Sequence, residues 1–235
     1  VSITKNIVHR FSKRDKGELY DPFEILPRIT TKINNKVIIF ADEKAQKVSV
    51  QVRAGANNVN GTVSLQTPKG WKVSPSSIDF DIVQKSDVQK VDFMVTPSKN
   101  QSEGKLKVVA TSNGKKYTKE LVEITYNHIP KQSVLLNSEA KVVRLNIQKA
   151  GNFIGYIQGS GDAVPESLRQ IGYQVKEISP KDINEKNLQQ FDAVVVGIRA
   201  YNTISELKFK QKYLLDYVKN GGNMIVQYNT SRRVD

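Results

Sequence analysis

Residues Gly155 to Tyr173 have the sequence GYIQGSGDAVPESLRQIGY. A short apolar run leads into a Gly-Ser-Gly loop, and apolar residues at helical spacing follow the loop. A strand, a glycine loop and a helix in this order predict a β-α unit of a parallel sheet. Nucleotide-binding sites often begin in the same way, so the role of the loop has to be judged from its individual residues.

The loop matches the dinucleotide-binding pattern G-x-G-x-x-G only in part. Gly159 and Gly161 occupy the first two glycine positions, but Val164 occupies the third. Asp162 stands where the helix begins, and its carboxylate is expected to cap N–H groups that a phosphate would otherwise use. Glu177 stands roughly where a ribose-binding acid would be. These residues favour a structural turn over a dinucleotide site, and we expect no cofactor.

The alternation of strands and helices continues after this unit. Further strands are predicted at YQVKEIS (173–179), FDAVVVGIRA (191–200) and NMIVQYN (223–229), and a helix at ELKFKQKYLLDYVKNGG (206–222) with Leu207, Leu214 and Val218 on one stripe. This order predicts a doubly wound, three-layer α/β domain with a flavodoxin-like parallel sheet over residues 136–235. Sheets of this kind usually run to five or six strands, so we expect the domain to be incomplete.

The first half of the chain has a different period. In KVSVQVRAG (47–55), Val48, Val50 and Val52 share one face of a strand. Similar stretches occur at 61–67, 77–83, 88–97, 104–111 and 115–126, separated by turn signals such as Asn113-Gly114. Short alternating strands at this spacing predict an antiparallel, immunoglobulin-like β-sandwich over residues 1–135. We expect residues 1–24 to form an N-terminal arm, in which 12–22 act as a connector.

The composition sets limits on function. The chain has 235 residues, no cysteine and a formal net charge of +13. Without cysteine there is no disulfide and no thiol catalysis. The positive charge is spread along the chain and is not interleaved with aromatic residues, so we expect no nucleic-acid partner. No apolar run approaches the roughly 20 residues of a membrane span.

Polar residues follow three of the predicted strands. Because ligands of open α/β sheets bind beyond the carboxyl ends of the strands, these residues form a candidate site for a small polar ligand such as a sugar or a carboxylate. They are Ser160, Asp162, Arg199, Tyr201, Asn202, Gln227 and Asn229. The alternative is a structural network in which Arg199 pairs with Asp162.

Other candidate residues give weaker signals. His9 and His128 are the only histidines and lie in different contexts, so we expect no metal site. No serine lies in a G-x-S-x-G elbow, and no catalytic residue is recognisable. Trp71 could stack on a sugar if its ring is exposed, but a sandwich tryptophan is more often partly buried.

The stretch TVSLQTPKGWKVSPSSIDFDIVQKSDVQKVDFMVTPSK (62–99) resembles the NPCBM-associated β-sandwich module of bacterial carbohydrate-active enzymes. The resemblance rests on a P-x-G-W-x-V-x-P turn formed by Pro68, Gly70, Trp71, Val73 and Pro75. Stretches of the second half, including IGYIQGSGDAVPESLRQIGYQV and FDAVVVGIRAYNT, are similar to the region that follows this module in large PIG-L (LmbE-like) N-acetylglucosaminyl deacetylases of Bacteroidetes.

The resemblance implies that the second domain has a class I glutamine amidotransferase-like fold. That family needs a nucleophilic cysteine and a histidine partner, and this chain has no cysteine and no histidine after His128. The deacetylase family carries its chemistry on an N-terminal zinc domain with a His-Pro-Asp-Asp motif, which this chain lacks.

We therefore expect a non-catalytic accessory region of a carbohydrate deacetylase, which positions the enzyme or binds glycan. The alternatives are an enzyme or ligand-binding domain with its site at the strand ends, and a protein–protein assembly module. The expected partners are a glycan or small polar ligand and an upstream catalytic domain of the same polypeptide. The resemblance also implies an exported, periplasmic or cell-surface location.

Overall fold

The computed structural model describes residues 7–126 and 128–230. These residues form two compact units. The first unit contains the described residues up to 38 together with 43–144, and the second contains 39–42 together with those from 145 onward.

The first unit is built from β-strands. They are β1 (Val8–Lys13), β2 (Gly17–Pro22), β3 (Ile29–Ile33), β4 (Val37–Phe40), β5 (Gln46–Ala54), β6 (Val59–Gln66), β7 (Lys72–Ser74), β8 (Ile78–Ile82), β9 (Val88–Thr96), β10 (Ser102–Ser112), β11 (Lys115–Tyr117), β12 (Lys119–Ile124), β13 (Gln132–Asn137) and β14 (Glu139–Arg144). One sheet has the order β4-β14-β10-β6-β8 with β11 beside β10, and another has the order β3-β5-β9-β7. The β-sandwich predicted from the sequence is present.

The alternating pattern explains how the sandwich buries its core. In β5 the side chains of Val48, Val50 and Val52 are buried, whereas the residues between them are half-buried. β9 pairs with β5 and buries Phe93 directly opposite Val48. Apolar side chains on one face of β5 and of β9 therefore form part of the interior, as the period of two predicts.

The amino-terminal segment differs from the prediction. Residues 12–22, predicted as a connector, lie in a hairpin in which β1 and β2 pair in antiparallel register from Val8↔Pro22 to Lys13↔Gly17. Most side chains of this hairpin are exposed, so its sequence has no buried face to produce an alternating signal. Residues 1–6 of the predicted arm 1–24 lie outside the described residues.

The region around the predicted boundary at 135/136 also contains unpredicted pairing. β12 pairs with β13, and β14 pairs with β10 from Lys107↔Glu139 to Ser102↔Arg144. All four strands lie in the first unit, which extends to residue 144. β12 and β13 are consecutive strands, but the pairing of β14 with β10 joins segments far apart in sequence, which local periodicity does not report.

The second unit alternates strands and helices. They are β15 (Phe153–Ile157), α1 (Val164–Gln170), β16 (Gln174–Glu177), a 3₁₀ turn (Pro180–Asp182), α2 (Glu185–Leu188), β17 (Ala193–Val196), α3 (Ala200–Thr203), α4 (Leu207–Lys219) and β18 (Asn223–Val226). All strand pairs are parallel, in the order β16-β15-β17-β18. One core cluster contains residues of β15 and β17 with α2 and α4, and another contains β15 and β17 with α1.

Helix α4 buries a slightly different stripe from the predicted one. Leu207 and Leu214 are buried as predicted, but Val218 is 41% exposed and Tyr217 is buried instead. The Tyr217 hydroxyl donates a hydrogen bond of 2.9 Å to the carbonyl of Phe191, which satisfies its polar end inside the core. None of the helices among the described residues is long and apolar enough to cross a membrane.

Candidate functional site

The carboxyl ends of β15, β17 and β18 meet at one edge of the parallel sheet. We call this edge the rim; it comprises residues 158–162, 197–202 and 227–230. All seven residues predicted as ligand-binding lie on it. The contacts of each residue decide which side chains remain available to a ligand.

The Gly-Ser-Gly loop packs against the turn that follows β17. The backbone N–H of Ser160 donates a hydrogen bond of 2.9 Å to the carbonyl of Ile198, and its hydroxyl lies 3.3 Å from the same oxygen. A Cβ atom on Gly159 would lie only 2.1 Å from that carbonyl oxygen, so glycine is required there for steric reasons. The loop therefore joins two strand ends, and this contact gives it a structural role.

Asp162 is held by two groups of its own unit. One carboxylate oxygen accepts a hydrogen bond of 2.9 Å from the N–H of Val164, the first residue of α1, although the N-cap position itself is occupied by Ala163. The other oxygen accepts a hydrogen bond of 2.7 Å from the hydroxyl of Tyr156. The described residues contain no ion pair between Asp162 and Arg199, so the predicted structural network uses a tyrosine in place of the arginine.

Sequence reasoning did not identify Tyr156, which is fully buried in β15. Burial raises the pKa of its hydroxyl well above the ordinary value, and the neighbouring Asp162 carboxylate raises it further. A hydrogen bond from the side chain of Gln227 lowers this pKa, but by less. A tyrosine in an otherwise apolar strand is a usable signal, because its buried hydroxyl requires a partner.

Arg199 lies at the turn between β17 and α3 in a left-handed backbone conformation, with φ 57° and ψ 22°. This conformation is uncommon for residues other than glycine, asparagine and aspartate. The N–H of Arg199 donates a hydrogen bond of 2.7 Å to the carbonyl of Tyr228, which anchors the turn to the end of β18. The residue is exposed to solvent at the rim.

The amide side chains of the rim mostly hold the backbone in place. Asn202 accepts a hydrogen bond from the N–H of Thr230 (2.9 Å) and donates one to its carbonyl (3.2 Å). Asn229 accepts from the N–H of Tyr201 (3.2 Å) and donates to the carbonyl of Gln227 (2.8 Å). Half-burial raises the pKa of the Tyr201 hydroxyl. Ser160, Arg199 and Tyr201 are therefore the rim side chains best placed to meet a ligand.

Trp71 does not have the exposure that sugar stacking would require. Its side chain is 5% exposed, and its indole N–H donates a hydrogen bond of 3.1 Å to the hydroxyl of Ser102. The ring is therefore more deeply buried than the partly buried sandwich tryptophan that the sequence suggested as the alternative. Within the described parts of the chain, no group of three or more His, Cys, Asp or Glu side chains could hold a metal ion.

Comparison with known proteins gives a family match that falls in the first unit except for its first two residues. Residues 41–114 match the NPCBM-associated, NEW3 domain of alpha-galactosidase. This segment contains β5 to β10 and therefore strands of both large sheets. No curated protein sequence matches the chain.

Several solved structures resemble parts of the chain at low identity. A fragment of Escherichia coli alpha-2-macroglobulin from domain MG7 to the C-terminus is 6% identical with a TM-score of 0.32; the match covers 49% of this chain and 16% of that one. WR4, a Caenorhabditis elegans MSP family member, is 8% identical with a TM-score of 0.29, over 49% of this chain and 97% of that one. A family 123 glycoside hydrolase from Clostridium perfringens is 10% identical with a TM-score of 0.28, and the match covers 83% of this chain and 37% of that one.

Proposed function

We propose that this chain is a non-catalytic accessory region of a carbohydrate-active protein. The observation that carries the proposal is the match of residues 41–114 to the NEW3 domain of alpha-galactosidase. The matched strands form the interior of the sandwich, so the likeness extends over a structural module. The resemblance of the sequence to PIG-L deacetylases makes an N-acetylglucosaminyl deacetylase, exported from the cell, the proposed parent. Its upstream catalytic domain is the proposed partner.

We further propose that the second unit has a flavodoxin-like, amidotransferase-like fold that has lost its chemistry. The strand order β16-β15-β17-β18 supports this, because it corresponds to the second, first, third and fourth strands of the flavodoxin-like order. The turn from β17 to α3 resembles a nucleophile elbow, a strained strand-to-helix turn that exposes one side chain above the sheet. Arg199 occupies its left-handed position, and a guanidinium is not a nucleophile.

An assay for hydrolysis tests the accessory role. The chain is incubated with triacetylchitotriose and, separately, with glutamine, and the release of acetate or ammonia is followed. We expect neither product above the rate of a heat-denatured control. The proposal would be overturned if the chain released either product and if Arg199→Ala or Tyr156→Phe abolished that release. Such a result would show that the rim catalyses the reaction.

A second candidate function is the binding of a small anionic ligand at the rim. The observation that favours it is the position of Arg199, whose exposed side chain extends from a conformationally strained turn beside Ser160 and Tyr201. Guanidinium groups bind carboxylates in bidentate geometry. A thermal-shift titration with glucuronate and galacturonate should then raise the unfolding temperature, and Arg199→Ala should abolish the effect.

A matched control for this titration is Arg169→Ala. Arg169 is exposed on α1 of the same unit, pairs with Glu166 and Glu177, and is not one of the rim residues. A shift that Arg169→Ala removes and Arg199→Ala preserves would reject the rim as the anion site.

A further inference from the structure

A groove of about 710 Å³ lies on the first unit. Its wall is the segment 21–27, which comprises the end of β2 and the irregular residues after it, and its floor includes Arg53, Glu123 and Lys131. We call it the sandwich groove. Its volume is within the range of about 300–1,000 Å³ that small-molecule sites occupy.

The wall of the groove is anchored to the sandwich. The N–H of Gly55, just after β5, donates a hydrogen bond of 2.7 Å to the carbonyl of Arg28. A Cβ atom on Gly55 would lie 2.3 Å from the carbonyl oxygen of Pro27, so the backbone of the wall approaches β5 as closely as a glycine allows. The N–H of Phe23 donates to the carbonyl of Ile7 at 3.2 Å. The wall is therefore held at both ends.

The wall presents apolar side chains to solvent. Phe23 is 62% exposed, and Ile25 and Leu26 are also exposed. Such side chains on a loop fixed at both ends do not contribute to the core of the unit. An aromatic ring in this setting offers a flat apolar face to a ligand.

The floor of the groove is a network of paired charges. One carboxylate oxygen of Glu123 lies 2.7 Å from the Arg53 guanidinium, and the other lies 2.8 Å from the Lys131 ammonium. Lys131 also lies 3.9 Å from Glu24. Hydrogen bonds from Lys131 and then Arg53 lower the pKa of the Glu123 carboxyl, and the bond to Glu123 raises the pKa of Lys131. Both shifts favour the charged forms of Glu123 and Lys131, which pair in the floor of the groove.

The charges that line the groove balance. Arg53, Lys85 and Lys131 supply three positive charges, and Asp21, Glu24 and Glu123 supply three negative ones. A site for phosphate or for another polyanion would need an excess of positive charge, which this groove lacks. A hydroxyl group both donates and accepts hydrogen bonds, so it can bridge a carboxylate and a neighbouring cation.

We propose that the sandwich groove binds a short neutral oligosaccharide. Its hydroxyls bond to the Arg53–Glu123–Lys131 network, and the apolar face of one sugar ring lies on Phe23. This inference rests on the proposed carbohydrate-associated role and adds a location and a ligand class to it. It does not involve the rim.

The test is calorimetric titration of the whole chain with cellotriose, galactobiose and triacetylchitotriose. We expect saturable binding of at least one of them. Phe23→Ala and Glu123→Gln should each weaken it about tenfold, because the first removes the stacking face and the second replaces one accepting carboxylate oxygen with an NH₂ donor and removes the negative charge between Arg53 and Lys131. Binding should change less than twofold between about 0.05 and 0.5 M salt, because the ligand has no charge for salt to screen.

Two control variants match the test variants in chemistry. Phe209→Ala removes an aromatic ring that is 73% exposed on α4, and Glu139→Gln removes a carboxylate that pairs with Lys105. Both should bind like the unmodified chain. Because Phe23 is exposed, its replacement should not disturb folding, and a normal melting temperature verifies this.

The proposal is overturned if none of the three sugars binds, or if binding survives Phe23→Ala and Glu123→Gln. It is also overturned if galacturonate oligomers bind more tightly than neutral sugars, or if a protein segment occupies the groove and the sugars do not displace it. None of these results bears on the hydrolysis assay, so failure of the groove and failure of the accessory role are distinguishable.

Discussion

At the residue scale, the rim shows how one buried hydroxyl changes the role of a neighbouring carboxylate. Asp162 is positioned by its place in the sequence to cap α1, and the structure has that contact with the N–H of Val164. Its second oxygen is occupied by Tyr156, whose position in β15 faces the loop. Both oxygens of Asp162 therefore accept hydrogen bonds from groups of the second unit, which gives this carboxylate a structural role.

Replacing Tyr156 with phenylalanine tests this bond. Tyr156→Phe removes the hydroxyl and leaves one oxygen of Asp162 without its donor, so we expect a loss of about 1–2 kcal/mol in the free energy of unfolding. Urea titration followed by circular dichroism measures it. Tyr228→Phe, at an exposed tyrosine of the rim, should change the stability by less than about 0.5 kcal/mol. Equal effects of the two variants would contradict a structural role for the Tyr156–Asp162 bond.

At the element scale, α4 is an amphipathic helix whose buried stripe is set by what lies beneath it. The predicted Leu207 and Leu214 are buried, while Tyr217 replaces Val218 because its hydroxyl reaches the carbonyl of Phe191. The helix ends at Lys219, and Gly221, two residues further on, has φ 95° and donates its N–H to the carbonyl of Val218 at 3.0 Å. The glycine stop was predictable, since a left-handed residue commonly follows a helix.

Two adjacent leucines of α4 provide a matched comparison. Leu214 is fully buried and Leu215 is 52% exposed. Leu214→Ala should lower the free energy of unfolding by about 2–5 kcal/mol, because it opens a cavity in the core of the second unit. Leu215→Ala should change it by no more than about 0.5 kcal/mol. Urea titration of both variants decides the matter, and a larger loss for Leu215→Ala would show that the buried stripe is misassigned.

At the scale of the whole molecule, the carboxylates connect stability to pH. Hydrogen bonds from Lys131 and Arg53 lower the pKa of Glu123 below its ordinary 4.5. The backbone N–H groups of Asn152 and Phe153 lower the pKa of Asp192 below its ordinary 3.8. Each group contributes stability that is present above its ordinary pKa and is lost as the pH falls through the lowered value.

The expected result is an acid-sensitive protein. The urea midpoint should be nearly constant from neutral pH down to about pH 5 and should fall below about pH 4. Protonation of carboxylates also adds to the net charge of +13, which increases repulsion in the folded state. In Glu123→Gln, which cannot titrate at this position, the midpoint of the first unit should depend less steeply on pH. An unchanged dependence would mean that Glu123 is not responsible.

Much of the architecture follows from the sequence, because periodicity is a local property of the chain. The period of two in KVSVQVRAG and its relatives predicts the sandwich, and the glycine loop followed by a helical pattern predicts the alternation of strands and helices after residue 150. The seven polar residues at the strand ends were predictable as a set for a related reason. Parallel strands bring their carboxyl ends to one edge, so residues just beyond them gather there.

The tertiary structure alone decided which of these residues remain available and where the sheet edges lie. The hydroxyl of Tyr156 donates a hydrogen bond to Asp162, and the side chain of Asn202 accepts one from the N–H of Thr230. Strand β14 pairs with β10 across more than thirty residues of chain. The sandwich groove likewise joins the segment 21–27 to Glu123 and Lys131. Contacts of this kind depend on the path of the whole backbone, and the entropy of closing such long loops is overcome only by collective burial of the core.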